Sequence, residues 1–214
     1  MQYIYLHGFA SSPRSQKAAD LKQRFTAIGQ PLLIPDLNQD DFSHLTLTRQ
    51  MGQIEQLFPA APTPVTLIGS SLGGLTAAWM AEQQPQVQRL VLLAPAFGFL
   101  AHWLPKLGAE QVQQWQSTGY MPVYHYGEDR LLPLHYGFVE DARRYPAEQL
   151  QRAIPTLILH GRQDEVIPVS ASIDFASKRP WVTLVELESD HSLSNVLDDI
   201  WLKIQEFCWP KDKN

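Results

Sequence analysis

Residues 65–81 read Val65-Thr66-Leu67-Ile68-Gly69-Ser70-Ser71-Leu72-Gly73-Gly74-Leu75-Thr76-Ala77-Ala78-Trp79-Met80-Ala81. Four apolar or β-branched residues run into G-x-S-x-G, and a stretch rich in small, helix-compatible residues follows. This order predicts a strand, a sharp turn and a helix. A serine in such a turn is lifted clear of the backbone, with its Oγ within reach of a substrate. The flanking glycines suit a turn too tight for a Cβ on either side. Ser71 is therefore the candidate nucleophile. Ser70 lies outside the G-x-S-x-G frame. Alone, the pattern is equally compatible with an ordinary strand-to-helix turn, so the rest of the chain must supply partners.

A serine hydroxyl needs a base, and the base needs a group that orients it. Sheets carrying this elbow order their triad as Ser, then Asp or Glu, then His. Asp164 stands in Leu157-Ile158-Leu159-His160-Gly161-Arg162-Gln163-Asp164, an apolar strand that runs into a turn. His191 follows the strand Val182–Leu187 in Glu188-Ser189-Asp190-His191-Ser192. Asp164 is the candidate acid, with Glu165, Asp190 and Glu188 as alternatives. His191 is the candidate base. His7 and His160 each end a strand before a glycine and read as loop braces. His44, His102, His125 and His135 lack a matching partner motif. A tetrahedral oxyanion needs two backbone N–H donors held in place beforehand. Leu72 supplies one, and the loop after Tyr3-Ile4-Tyr5-Leu6-His7-Gly8 supplies the other, from Phe9 or, second, Ala10.

Apolar runs near 3–7, 32–34, 65–69, 89–94, 156–160 and 182–187 predict buried parallel strands. Helical stretches fall near 14–28, 45–58, 72–84, 134–145, 169–178 and 194–208. This alternation predicts a single α/β domain over 1–214: about six mainly parallel strands with helices on both faces. One interval breaks the rhythm. Residues 97–138 hold nine of the 22 aromatic residues in the chain, about twice an even share. The interval follows the fourth strand, where an insertion would overhang the elbow. It reads either as a cap lining an acyl pocket, with Phe97, Trp103 and Trp115 as the wall, or as a satellite core.

Net charge is −5, and Arg143-Arg144 is the only basic pair of note, which argues against a nucleic-acid partner. The single cysteine, Cys208, excludes an intramolecular disulfide and reads as a core filler in the last helix. No apolar stretch approaches the about 20 residues of a membrane span. The chain enters a strand at once without a charged leader, so a cytoplasmic protein is expected. No C-x-x-C, H-E-x-x-H or Walker pattern calls for a metal or nucleotide, and no cofactor is expected.

These residues resemble the α/β-hydrolase superfamily. Within it, Leu6-His7-Gly8-Phe9-Ala10-Ser11-Ser12-Pro13-Arg14-Ser15-Gln16-Lys17-Ala18 and Gly69-Ser70-Ser71-Leu72-Gly73-Gly74 look like the small YqiA-like esterases. The resemblance covers both ends of the chain and the elbow. It implies a shortened α/β-hydrolase fold and cofactor-free hydrolysis of carboxylic esters. It carries over onto Ser71, Asp164 and His191. The aromatic insertion departs from it, so a substrate size preference does not carry over. Arg14 recurs in the motif, where it either binds an acidic substrate group or, the favoured reading, anchors the loop. The same triad would equally serve a thioesterase, lactonase, peptidase or perhydrolase. A binding protein that kept the fold is the reading outside catalysis. Oligomeric state is not legible.

Overall fold

The computed structural model describes residues 1–210. In chain order the elements are β1 (Gln2–Leu6), α1 (Gln16–Ala27), β2 (Leu32–Leu33), α2 (Leu47–Glu55), β3 (Val65–Ser70) and α3 (Leu72–Gln83). There follow β4 (Val87–Leu93), α4 (Phe99–Leu107), α5 (Ala109–Thr118), β5 (Tyr120–His125), β6 (Arg130–His135) and α6 (Gly137–Ala142). The chain closes with β7 (Thr156–Gly161), α7 (Val169–Ser177), β8 (Val182–Leu187) and α8 (Leu197–Cys208). Six strands form one parallel sheet in the order β2-β1-β3-β4-β7-β8. β5 and β6 pair antiparallel as a separate ribbon.

Period-two alternation divides the sheet residues between two cores. Ile4, Leu6, Leu67 and Leu92 point to one face, where α2 and α3 cover them. Tyr3, Tyr5, Ile68, Val91 and Leu93 point to the other, under α1 and α8. Each outer helix brings a matching stripe: Ala18, Leu21 and Phe25 on α1, and Ile200, Ile204 and Cys208 on α8. Helix α3 is buried from Leu72 to Ala81, which explains its small residues: the sheet and α2 both press on it.

The expected aromatic insertion is two short helices, a β-ribbon and the start of α6. The helix expected over 134–145 is shorter. Residues through His135 belong to β6, and only Gly137–Ala142 is helical. Pro133 disfavours helical backbone at Leu132. It stands opposite Pro122 in a two-stranded ribbon, whose strands are both edges and tolerate the missing N–H groups. The His135 Nδ1 then accepts from Gly137 N at 3.0 Å, where the helix begins. The insertion is also not a satellite. Trp115, Met121, Leu134, Tyr136 and Phe138 are buried in the same core as Ile4 and Leu6. Among the described residues no helix is long and apolar enough to cross a membrane.

Candidate active site

Ser71 sits between β3 and α3 at φ 53° and ψ −118°, a region a side chain enters only when its surroundings compel it. The compulsion is local. Ser71 N donates to Leu93 O at 2.9 Å, while Ser71 O accepts from Gly74 N and Leu75 N. The glycines are required by contact. A Cβ on Gly69 would lie 2.3 Å from Gly73 O, and one on Gly73 would lie 2.3 Å from Leu6 O. The elbow is thus pressed between its own helix and the end of β1.

The three residues chosen from the sequence meet here. His191 Nε2 lies 3.0 Å from Ser71 Oγ, and His191 Nδ1 lies 2.7 Å from Asp164 Oδ2. With Nδ1–H donating to the carboxylate, Nε2 is left bare to take the serine proton. The Asp164 side chain has no solvent exposure. Its Oδ1 accepts from Val166 N at 2.9 Å and Ile167 N at 2.8 Å. Burial pushes its carboxyl up. Hydrogen bonds from His160 and His191, the His191 charge and the Ile167 N–H outweigh burial and hold it well below the usual carboxylate range. The acid and base loops lean on each other, since a Cβ on Gly161 would lie 2.3 Å from Ser189 O.

None of the alternative acids hydrogen-bonds to His191 among the described residues. Asp190 Oδ1 accepts from Ser192 N and Ser192 Oγ, shaping the loop that carries His191. Glu188 pairs with Arg162 and Gln163. Glu165 offers its carbonyl to Lys106. The Phe9 and Leu72 N–H groups have no hydrogen-bond partner among the described residues. The loop bearing Phe9 packs close to the serine: a Cβ on Gly8 would lie 3.3 Å from both Ser70 O and Ser71 Cβ. That loop is braced by His7, whose Nδ1 lies 3.0 Å from Gly8 O while Nε2 accepts from Leu37 N.

The sequence-derived pocket wall lies elsewhere. A cavity of about 560 Å³ opens on Ser71 and His191, and Phe97, Trp103 and Trp115 do not line it. Phe97 is buried and stacks on Phe175 at 4.2 Å. Trp115 is buried, with its Nε1 donating to Leu134 O at 2.8 Å. Trp103 packs edge-on against Phe9 and Trp115. The insertion reaches the cavity through its ribbon tip instead, with Tyr126 and Gly127 on the wall. Tyr126 N donates to Ala10 O at 2.8 Å, tying the tip to the loop of Phe9. Sequence reading missed this tip and the contact of His160 with Asp164, at 3.0 Å from Nε2 to Oδ2. No clear signal marked the tip, whereas His160 stands four residues before the acid. Among the described residues no cluster of His, Cys, Asp and Glu could hold a metal.

A family model described as "Uncharacterised protein family (UPF0227)" matches residues 2–208. The chain belongs to that family. This is the YqiA-like group whose motifs the sequence carries. The bovine (Bos taurus) palmitoyl-protein thioesterase ABHD10, mitochondrial, is 23% identical over 208 residues, covering 91% of this chain and 68% of the relative. The mouse alpha/beta hydrolase domain-containing protein 10 superposes with TM-score 0.76 at 23% identity, covering 95% of this chain and 86% of its own. Est1E from Butyrivibrio proteoclasticus, solved with ferulic acid bound, superposes with TM-score 0.78 at 21% identity, covering 97% and 87%. The sheet and its surrounding helices are thus an α/β-hydrolase fold.

Proposed function

We propose that the protein is a serine hydrolase of carboxylic esters. The observation that carries this reading is the relay Asp164–His191–Ser71, with its links at 2.7 and 3.0 Å, beside a cavity. Ser71 Oγ attacks the ester carbonyl as His191 Nε2 takes its proton. The negative charge that develops on the carbonyl oxygen is received by the Phe9 and Leu72 N–H groups. His191 then gives the proton to the departing alcohol, leaving an acyl-Ser71. A water, deprotonated by the same nitrogen, releases the acid. Asp164 keeps the imidazole in the required tautomer throughout.

A second reading, hydrolysis of thioesters, is favoured by the likeness to a palmitoyl-protein thioesterase. The chemistry differs only in the leaving atom, and both readings use the same residues. Intact-mass analysis after a fluorophosphonate probe tests the shared core. One adduct is expected, on the peptide bearing Ser71, and Ser71→Ala should abolish it. Turnover by that variant should fall by about 10³-fold or more, because triad members act as a unit. Labelling at Ser70 or Ser12 would refute the assignment. A panel of p-nitrophenyl esters, acyl thioesters, lactones and peptide amides then separates ester from thioester.

A further inference from the structure

The wall of the cavity on Ser71 is more apolar than polar, as ligand pockets are, but it also presents cationic groups. Its wall carries several serine hydroxyls and two cationic side chains, Arg14 and Lys17. The Arg14 guanidinium is exposed and makes no hydrogen bond or ion pair with any described residue. It therefore does not anchor its loop. The loop is held by other groups: Arg14 N and Ser15 N donate to Ser12 Oγ and Ser12 O, and Asn38 Nδ2 donates to Ser11 O. A permanently charged planar fork left without a partner at a cavity wall suits a carboxylate or phosphate.

Lys17 differs. It is half-buried, and its Nζ donates to Ser192 O at 2.6 Å, the residue directly after His191. An ammonium has three donors, and this bond uses one. Burial pushes the Lys17 ammonium down to about 8, against the opposing pull of Asp190 and Asp164. Its attachment beside His191 also gives a direction. The imidazole that protonates the leaving group must lie on the leaving-group side of Ser71.

We infer that this site selects esters whose leaving alcohol or thiol bears an anionic group, a carboxylate or phosphate, gripped by Arg14 and Lys17. The inference rests on the hydrolase reading. Binding and release of this group involve no covalent step beyond those already described. The group holds the leaving oxygen or sulfur beside His191 and fixes which way round the substrate enters.

The test compares 3-butyryloxy-4-nitrobenzoate with its neutral 3-butyryloxy-4-nitrobenzamide. A second pair, mono-4-nitrophenyl adipate and 4-nitrophenyl hexanoate, moves the carboxylate to the acyl side. For the first pair kcat/KM should favour the acid by about tenfold, the effect of one charge-assisted hydrogen bond. That ratio should fall towards one in Arg14→Gln, in Lys17→Met and at high salt. It should also fall as pH rises through about 8, where Lys17 loses its charge. Asp164 and Asp190 are held in their ionised forms. His191 and Tyr5 act on both esters alike, so the ratio isolates the lysine. A first-pair ratio at or below one, or a preference confined to the acyl-side acid, would overturn the inference while leaving the hydrolase reading intact. Absence of turnover on all four esters together with no phosphonate label on Ser71 would remove both.

Discussion

His160 has three partners for two ring nitrogens. Its Nε2 lies 3.0 Å from both Asp164 Oδ2 and Ile167 O, and its Nδ1 lies 2.7 Å from Ser172 Oγ. Two acceptors at Nε2 require the proton there, so Nδ1 accepts from the Ser172 hydroxyl. His160 thus donates to the oxygen that also meets His191 Nδ1, and under the proposed mechanism it is a positioning residue for the acid. His160→Ala should lower kcat by about 10- to 100-fold, the loss of a hydrogen bond to a charged group, with KM little changed. His160→Gln should recover most of it, because an amide N–H can still reach Asp164. A Gln variant as slow as the Ala variant would mean that His160 only fills space. Asp164 itself makes stability depend on acid. Its folded carboxyl titrates below the unfolded one, so its contribution is complete above about pH 4 and is lost as pH falls from there. Asp164→Asn should flatten the fall in melting temperature between neutral pH and acid; an unchanged slope would assign that fall to other carboxylates. The meeting of Ser71, Asp164 and His191 was legible because motif and chain order name them. His160 reads in sequence only as the end of a buried strand; Ser172 and Ile167 reach it through the fold.

The aromatic surplus of 97–138 was legible as a surplus, but its direction was not. Trp103, Phe138 and Phe42 surround Phe9, Phe99 packs on Trp103 and Phe138, and Trp115 meets Trp103 and Tyr136 edge-on. The rings therefore pack the underside of the insertion onto the loop that carries Phe9. No periodicity in 119–136 reveals a β-ribbon, because its facing prolines mask the strand pattern and several water-facing positions, Tyr120, Tyr124 and Leu131, are themselves apolar or aromatic. At this scale the expected result for Trp115→Ala is a loss of about 3–5 kcal/mol of stability, as for other fully buried Trp truncations. Acetate and octanoate esters should then lose rate by the same factor once the folded fraction is taken into account. A loss selective for long chains, at an unchanged melting temperature, would put Trp115 back on the substrate path.

At the scale of the whole molecule, alternating strands and helices were legible from apolar runs alone, since a strand buried on both faces has nowhere to put a polar residue. The four loops that make the site, at 7–10, 69–72, 161–164 and 189–191, leave the same carboxyl edge of one sheet. Two of them come from each half of the chain, and the sheet between them is clamped by a core on each face. Neither half therefore brings Ser71, Asp164 and His191 together by itself. Phe25 tests that dependence from a distance. It is fully buried under α1, meeting Tyr3, Trp201 and Trp209 at centroid separations of 5.1–5.5 Å, and it lines no part of the cavity. Phe25→Ala should cost about 3–5 kcal/mol. In a urea titration the midpoints for ester hydrolysis and for far-ultraviolet circular dichroism should both fall, and by the same amount, with near wild-type turnover in the absence of urea. If the dichroism midpoint fell while the activity midpoint stayed in place, the α1–α8 face would be unfolding independently of the face that holds the elbow.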